Sequence, residues 1–322
     1  SHETVTAALE QPHRNDAVTV PPEALQMPRP RAIARRYSVR RTTASFVASI
    51  ALVAVLAIDH TAATVYAAQP LGSLDLNDGV PLTIAHRGDP AAAPENTMPA
   101  FEAALASGAE VLELDLRMTA DEQTVVFHDE LLDRTTNGSG PLAERTLAEL
   151  QVLDAGSWYG SAWAGTRIPT FDEFLPLLQG SDARALIELK GLWTVEALRP
   201  IIAGIYRYGV QDRVVLASFE LPTLLELWRE APSLHRAVIV RRLPDDPVDF
   251  AASVGASTVV TSLRSFRVDP EAAAMLQRSG LTVIVYTLNR GDLWQQALDL
   301  GVDGVVTDAP RRLATVHGAL QG

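Results

Sequence analysis

VLELDLRMTADEQTVVFHD, residues 111–129, holds two apolar runs of strand length, 111–116 and 124–127, rich in aliphatic and β-branched residues. The six residues between 117 and 124 are too few for the crossover of a dozen or more that joins parallel neighbours. The two runs therefore pair as a hairpin that turns near Asp121 and Glu122. Seven more strand-like runs flank it, at 82–85, 185–189, 213–217, 236–240, 257–260, 281–286 and 304–307. Helical patterns at 98–107, 195–208, 221–230, 270–279 and 293–300 alternate with them. Nine strands are one too many for an eight-stranded closed sheet, and the hairpin accounts for the excess. The expected fold is an α/β (β/α)8 barrel over 82–322 with a small inserted loop region. A doubly wound sheet, which needs no closure, is the alternative.

Two helix starts carry boundary signals. Asn96 and Thr97 can cap the first helix, and Thr170 with Glu173 makes a capping box ahead of FLPLL. Within the hairpin, the expected register sets residue 115 opposite residue 128, which makes Asp115 and His128 cross-strand neighbours. Glu113 and Asp115 share a face by the two-residue period of a strand.

Upstream the chain is different. Residues 1–41 read as a basic tail, cytoplasmic or flexible, and 69–81 as a linker. Between them, 42–68 opens with 17 uncharged residues, TTASFVASIALVAVLAI, after the cluster Arg31, Arg35, Arg36, Arg40 and Arg41. This predicts an N-terminal apolar helix that spans or associates with a membrane. The positive-inside bias would then place the barrel outside, extracellular or periplasmic. A secretory signal, giving a secreted form, is the second reading, and a buried helix the third. Ser1 in place of an initiator Met fits a piece of a longer membrane protein.

Composition narrows the chemistry. Formal net charge is −12, so a broad nucleic-acid surface is excluded, since binding many phosphates needs a basic face. There is no cysteine, which removes disulfides, thiolate metal sites and cysteine nucleophiles. Of 27 basic residues only Lys190 is a lysine. A compact ammonium at one position in an arginine-rich chain points to a local requirement.

Polar groups end four of the strands: AHRG at 85–88, ELD at 113–115, FHD at 127–129 and ELK at 188–190. In a barrel these ends meet at one mouth. Glu113, Asp115 and Glu188 offer hard oxygen ligands for one divalent ion, Mg²⁺ or Ca²⁺. Converging without a cation, they would raise one another's pKa values. His86 and His128 are the proton-transfer pair, because imidazole titrates near neutrality. Arg87 and Lys190 are cations fit to neutralise phosphoryl oxygens. Glu95 and Asn96 support a histidine or a loop, and Gly88 allows a close approach or makes a turn. The aromatic loop GSWYGSAW brings Trp158, Tyr159 and Trp163, which either line a pocket or pack over the barrel.

These strings together resemble the glycerophosphodiester phosphodiesterase family. HRG at 86–88, PENT at 94–97, ELD, HD at 128–129, RTTNGSG at 134–140, IPT at 168–170, ELK, ASF at 217–219, YTLN at 286–289 and GVDGVVTDAP at 301–310 run in the family's order. The resemblance implies a TIM barrel that cleaves glycerophosphodiesters to glycerol 3-phosphate and an alcohol. It implies metal ligands at Glu113, Asp115 and Glu188, an acid/base pair at His86 and His128, and phosphate contacts at Arg87 and Lys190. Glu95 matches a recurring acidic position. The family usually carries Trp where this chain has Tyr286, a substrate-pocket position. Lysophospholipid cleavage of phospholipase D type is an alternative, and a non-catalytic, membrane-anchored phosphodiester-binding module is the alternative of another class.

Overall fold

A computed structural model describes residues 80–321 of the chain. Nine strands form one sheet: β1 (Leu82–Ala85), β2 (Val111–Met118), β3 (Thr124–Val126), β4 (Arg184–Leu189), β5 (Val214–Ser218), β6 (His235–Val240), β7 (Thr258–Ser262), β8 (Thr282–Tyr286) and β9 (Gly304–Thr307). Their order is β1-β9-β8-β7-β6-β5-β4-β2-β3, and β1 also pairs with β2, so eight parallel strands close into a barrel. Closure decides against the doubly wound sheet. The antiparallel β3 lies outside the ring on β2, as the hairpin reading requires.

The period of two sorts each strand. Leu112, Leu114 and Leu116 of β2, with Ala185, Ile187 and Leu189 of β4, join the core between barrel and helices. Their alternates Val111 and Leu186 join a plug inside the barrel with Ile84, Val215, Ala237, Val260, Ile284 and Val306. The helices expected at 221–230 and 270–279 occur as Leu221–Glu230 and Pro270–Ser279. The capping box at Thr170 and Glu173 forms, with Thr170 N–H donating to Glu173 Oε2 at 2.8 Å. Between β3 and that helix, residues 127–170 make the insertion. It has a small core of its own, with Phe127, Leu132, Leu142, Leu150 and Ile168.

Three expectations need correction. The hairpin register is offset by one: Leu116 faces Val126 and Met118 faces Thr124, so Phe127, not His128, comes level with Asp115. Five residues fill the turn, and Glu122 takes a left-handed φ of 59° to close it. The first helix, Met98–Ala106, starts at Thr97 without a side-chain cap, because Asn96 is turned toward Asp115 and the Thr97 hydroxyl donates to Pro94 O. Finally, the apolar helix expected at 42–68 lies outside the described residues, and no helix among those is long and apolar enough to cross a membrane. The longest of them, Val195–Arg207, has 13 residues. That is about 20 Å of helix against a hydrocarbon core of about 30 Å. The membrane partner and the anchored, extracellular or periplasmic placement depended on that span, and neither is retained.

Candidate active site

The inward row of β2 continues from Val111 through Glu113 to Asp115, and that of β4 from Leu186 through Glu188 toward Lys190. Asp115 and Glu188 are lateral neighbours in the sheet. The same alternation that fills the barrel with apolar side chains thus replaces them with acids at its C-terminal mouth. One ligand atom from each of Glu113, Asp115 and Glu188 lies within 4.8 Å of the others. Glu113 and Asp115 are buried, and Glu188 is nearly so.

Such crowding is costly for bare charges. Burial, then the charge of Asp115, pushes the Glu113 carboxyl up to about 7. Glu188 is raised for the same two reasons. Asp115 goes the other way: burial opposes its charge, but Lys190, Arg87 and His128 together hold it at about 2. Lys190 Nζ stands 3.1 Å from Asp115 Oδ1 and 2.8 Å from Glu188 Oε1. Lys190 and Arg87 together bring two fixed cations to three acids. Two carboxyls pushed toward their protonated forms, all presenting hard oxygens, fit a divalent cation of the Mg²⁺ or Ca²⁺ type.

Both predicted histidines lie within the electrostatic reach of this cluster, and each is held by a carboxylate of its own. His86 follows β1, and its Nδ1 lies 2.5 Å from Asp308 Oδ1. Asn289 fixes Asp308 in turn, donating from Nδ2 to Oδ2 at 2.5 Å and accepting the Asp308 backbone N–H at 2.8 Å. Burial would lower the His86 pKa, but the bond to Asp308 and the charge of Glu113 outweigh it and raise the value. His128 enters from the insertion. The chain leaves β3 at Val126, and Arg117 Nε donates to the His128 carbonyl at 2.6 Å, so the histidine reaches the mouth despite the shifted register. Its Nδ1 lies 2.5 Å from Asp129 Oδ1, while burial lowers its pKa against the pull of Asp115.

Arginines stitch the loops together. Arg134 of the insertion grips both oxygens of Glu95 at 2.7 and 2.8 Å and both of Asp129 at 2.6 and 3.0 Å. Arg87 donates from Nη1 to Glu95 at 2.7 Å, its backbone N–H donates to Glu113 at 2.8 Å, and its Nε stands 3.3 Å from Asp115. Asn96 Nδ2 donates to Asp115 at 2.8 Å. Arg87 and Asn96 hold left-handed φ angles of 54° and 55°, a strained backbone that aims both at the acids. Gly88, with φ of 86°, makes the turn and lies where a Cβ would come within 2.6 Å of the Ala100 backbone.

The remaining two predicted positions separate. Tyr286 ends β8 at the mouth, packed on the barrel plug, with its hydroxyl 3.4 Å from Val240 O. Trp158 packs edge-on against Tyr159 and donates its indole N–H to Ala155 O, so its contacts are within the insertion. Four residues absent from the sequence-based site join it: Asp129, Arg134, Asn289 and Asp308. Each lies inside a motif already quoted, HD, RTTNGSG, YTLN or GVDGVVTDAP. Beside His86, a cavity of about 380 Å³ is walled by Arg87, Glu95, Asn289, Asp308 and Arg312.

The comparisons with known proteins converge on one group. A sequence model described as the glycerophosphoryl diester phosphodiesterase family matches residues 86–312. A glycerophosphodiester phosphodiesterase of Caldanaerobacter subterraneus subsp. tengcongensis is 35% identical over 234 residues, 72% of this chain and 96% of that protein. One from Bacillus subtilis is 32% identical over 292 residues, 84% of this chain and 95% of that protein. Among solved structures, an Oleispira antarctica phosphodiesterase in complex with the product sn-glycerol-3-phosphate superposes with a TM-score of 0.71 at 27% identity, covering 76% of this chain and 99% of that one. A barrel whose mouth gathers these acids and imidazoles, matched over nearly the full length of such relatives, makes this chain an enzyme belonging to the glycerophosphoryl diester phosphodiesterase family.

Proposed function

We propose that the chain hydrolyses glycerophosphodiesters to glycerol 3-phosphate and an alcohol, with His86 and His128 transferring the protons and Glu113, Asp115 and Glu188 holding one divalent ion. The observation that carries this reading is the pairing of both imidazoles: each is tied at Nδ1 to its own carboxylate, which leaves both Nε2 atoms for the substrate. When bound, Mg²⁺ or Ca²⁺ would supply Lewis acidity to the phosphoryl group and offset the charge of the three acids.

The chain's own groups do the rest. One histidine takes the proton of the glycerol hydroxyl next to the ester as that oxygen bonds to phosphorus. The other gives its proton to the alcohol oxygen as the P–O bond to it breaks. Water then opens the resulting cyclic phosphate with the two histidines in exchanged roles, which restores both. Arg87 and Lys190 neutralise charge on the phosphoryl oxygens. Asp308 and Asp129 hold the two rings, and Arg134 ties the His128 side to the β1 loop through Glu95.

A metal-reconstituted assay over several glycerophosphodiesters tests this, with phosphate monoesters as controls. Turnover should vanish with chelation, and His128→Ala should lower it about 10²–10⁴-fold, the usual share of general acid–base catalysis. A diester without the adjacent hydroxyl should be a poor substrate. Its turnover at the normal rate would refute attack by that hydroxyl.

A further inference from the structure

The mouth has a second wall, built from β5, β6 and β8. Phe219 follows β5, Arg241 follows β6 and Tyr286 ends β8, so all three stand at the same rim as Glu188 and Lys190. Phe219 and Tyr286 rest on the apolar plug inside the barrel. The Arg241 guanidinium lies over the Phe219 ring, 4.9 Å from its centroid. The Tyr286 hydroxyl donates to the carbonyl of Val240, the residue before Arg241, at 3.4 Å, which ties the end of β8 to the end of β6.

Arg241 differs from its neighbours in what it holds. Arg87, Lys190 and Arg134 are all engaged by carboxylates. Among the described residues Arg241 forms no ion pair, and it is exposed. A guanidinium stacked on an aromatic ring has its plane occupied and its N–H edge open, the arrangement that binds phosphate or carboxylate by two parallel hydrogen bonds. The same contact occupies one face of the Phe219 ring.

We infer that Arg241, with Phe219 and Tyr286, is a subsite for a second anionic group on the substrate, a phosphate monoester or a carboxylate. This rests on the glycerophosphodiester reading, which also fixes the arm. The glycerol arm of such a diester carries only hydroxyls, so a second anion can come only from the alcohol arm. The enzyme therefore prefers diesters of anionic alcohols over those of neutral or cationic ones.

The test compares glycerophosphoinositol with glycerophosphoinositol 4-phosphate, which differ by one phosphate, in the wild type, Arg241→Gln and Arg241→Lys. The wild type should favour the phosphorylated diester in kcat/KM by about tenfold or more, the usual effect of a charge-assisted contact. That preference should collapse toward one in Arg241→Gln, persist in part in Arg241→Lys, and shrink as salt is added. An equal loss for both substrates in Arg241→Gln, or an unchanged ratio, overturns the subsite. Binding of both diesters to His128→Ala by calorimetry reads the same preference without turnover, and equal affinities there would also overturn it. Failure of the wild type to cleave any glycerophosphodiester would instead refute the hydrolase reading, and circular dichroism shows whether each variant is folded.

Discussion

Glu113 shows how one residue reports on the whole site. Its carboxyl is pushed up to about 7, first by burial and then by Asp115, so in the metal-free protein it keeps a proton well above its ordinary value of 4.5. Between those two values the native state binds more protons than the unfolded chain, so metal-free stability falls as pH rises through that window. Cation binding must expel the proton. Metal affinity should therefore weaken as pH drops below about 7, with proton release detectable by calorimetry in buffers of different ionisation enthalpy. Affinity flat from pH 6 to 8 would contradict the burial and charge described for Glu113. Asp308 permits a second residue-level test. Because its hydrogen bond helps raise the His86 pKa, Asp308→Asn should shift the limb of the kcat/KM–pH profile that His86 governs toward lower pH. The rate should also fall, by about tenfold or more given what general acid–base catalysis contributes. An unshifted profile would show that the pair is merely structural.

The elements were legible to different depths. Strands are legible because each is apolar and short, and the period of two alone puts Glu113 and Asp115 on one face. Register was not legible. It depends on whether the β2–β3 turn holds five residues or six, and that was decided by Glu122 accepting a left-handed backbone. Capping misled at Asn96, since an amide that can cap a helix can equally bond a buried carboxylate, and Asp115 offered the stronger acceptor. The four supporting residues were in view as motif letters, but nothing local told Asp308 that it would meet His86, 222 positions away. The β1 loop gives the element-scale prediction. Gly88→Ala forces a Cβ into a left-handed turn and against the Ala100 backbone. The two penalties, about 1–2 kcal/mol for the backbone and about 1–3 kcal/mol for overpacking, should lower stability in denaturant titration by about 2–5 kcal/mol. Loss below 1 kcal/mol would mean the loop shifts freely and does not hold Arg87.

For the barrel as a whole, closure is what brings His86 and Arg87 to the acids: β2 and β4 pair directly, but β1 meets β2 only when the sheet meets itself. The alternation of strands and helices pointed to this fold, whereas the apolar run at 42–68 pointed to a span that no described helix provides. If the three acids are one metal site, the ion ties together the charges of two barrel strands, β2 and β4, and stabilises the folded state. Metal at about 100 times its Kd should add about 2.7 kcal/mol, which for a domain of this size is a rise in Tm of about 5–10 °C over the chelated protein. The most direct test is crystallography with Mn²⁺, whose anomalous scattering locates the ion without assumption. A single peak coordinated by Glu113, Asp115 and Glu188 together is the predicted result. A peak elsewhere, or none in a protein that remains active without added metal and after Glu188→Gln, would contradict it.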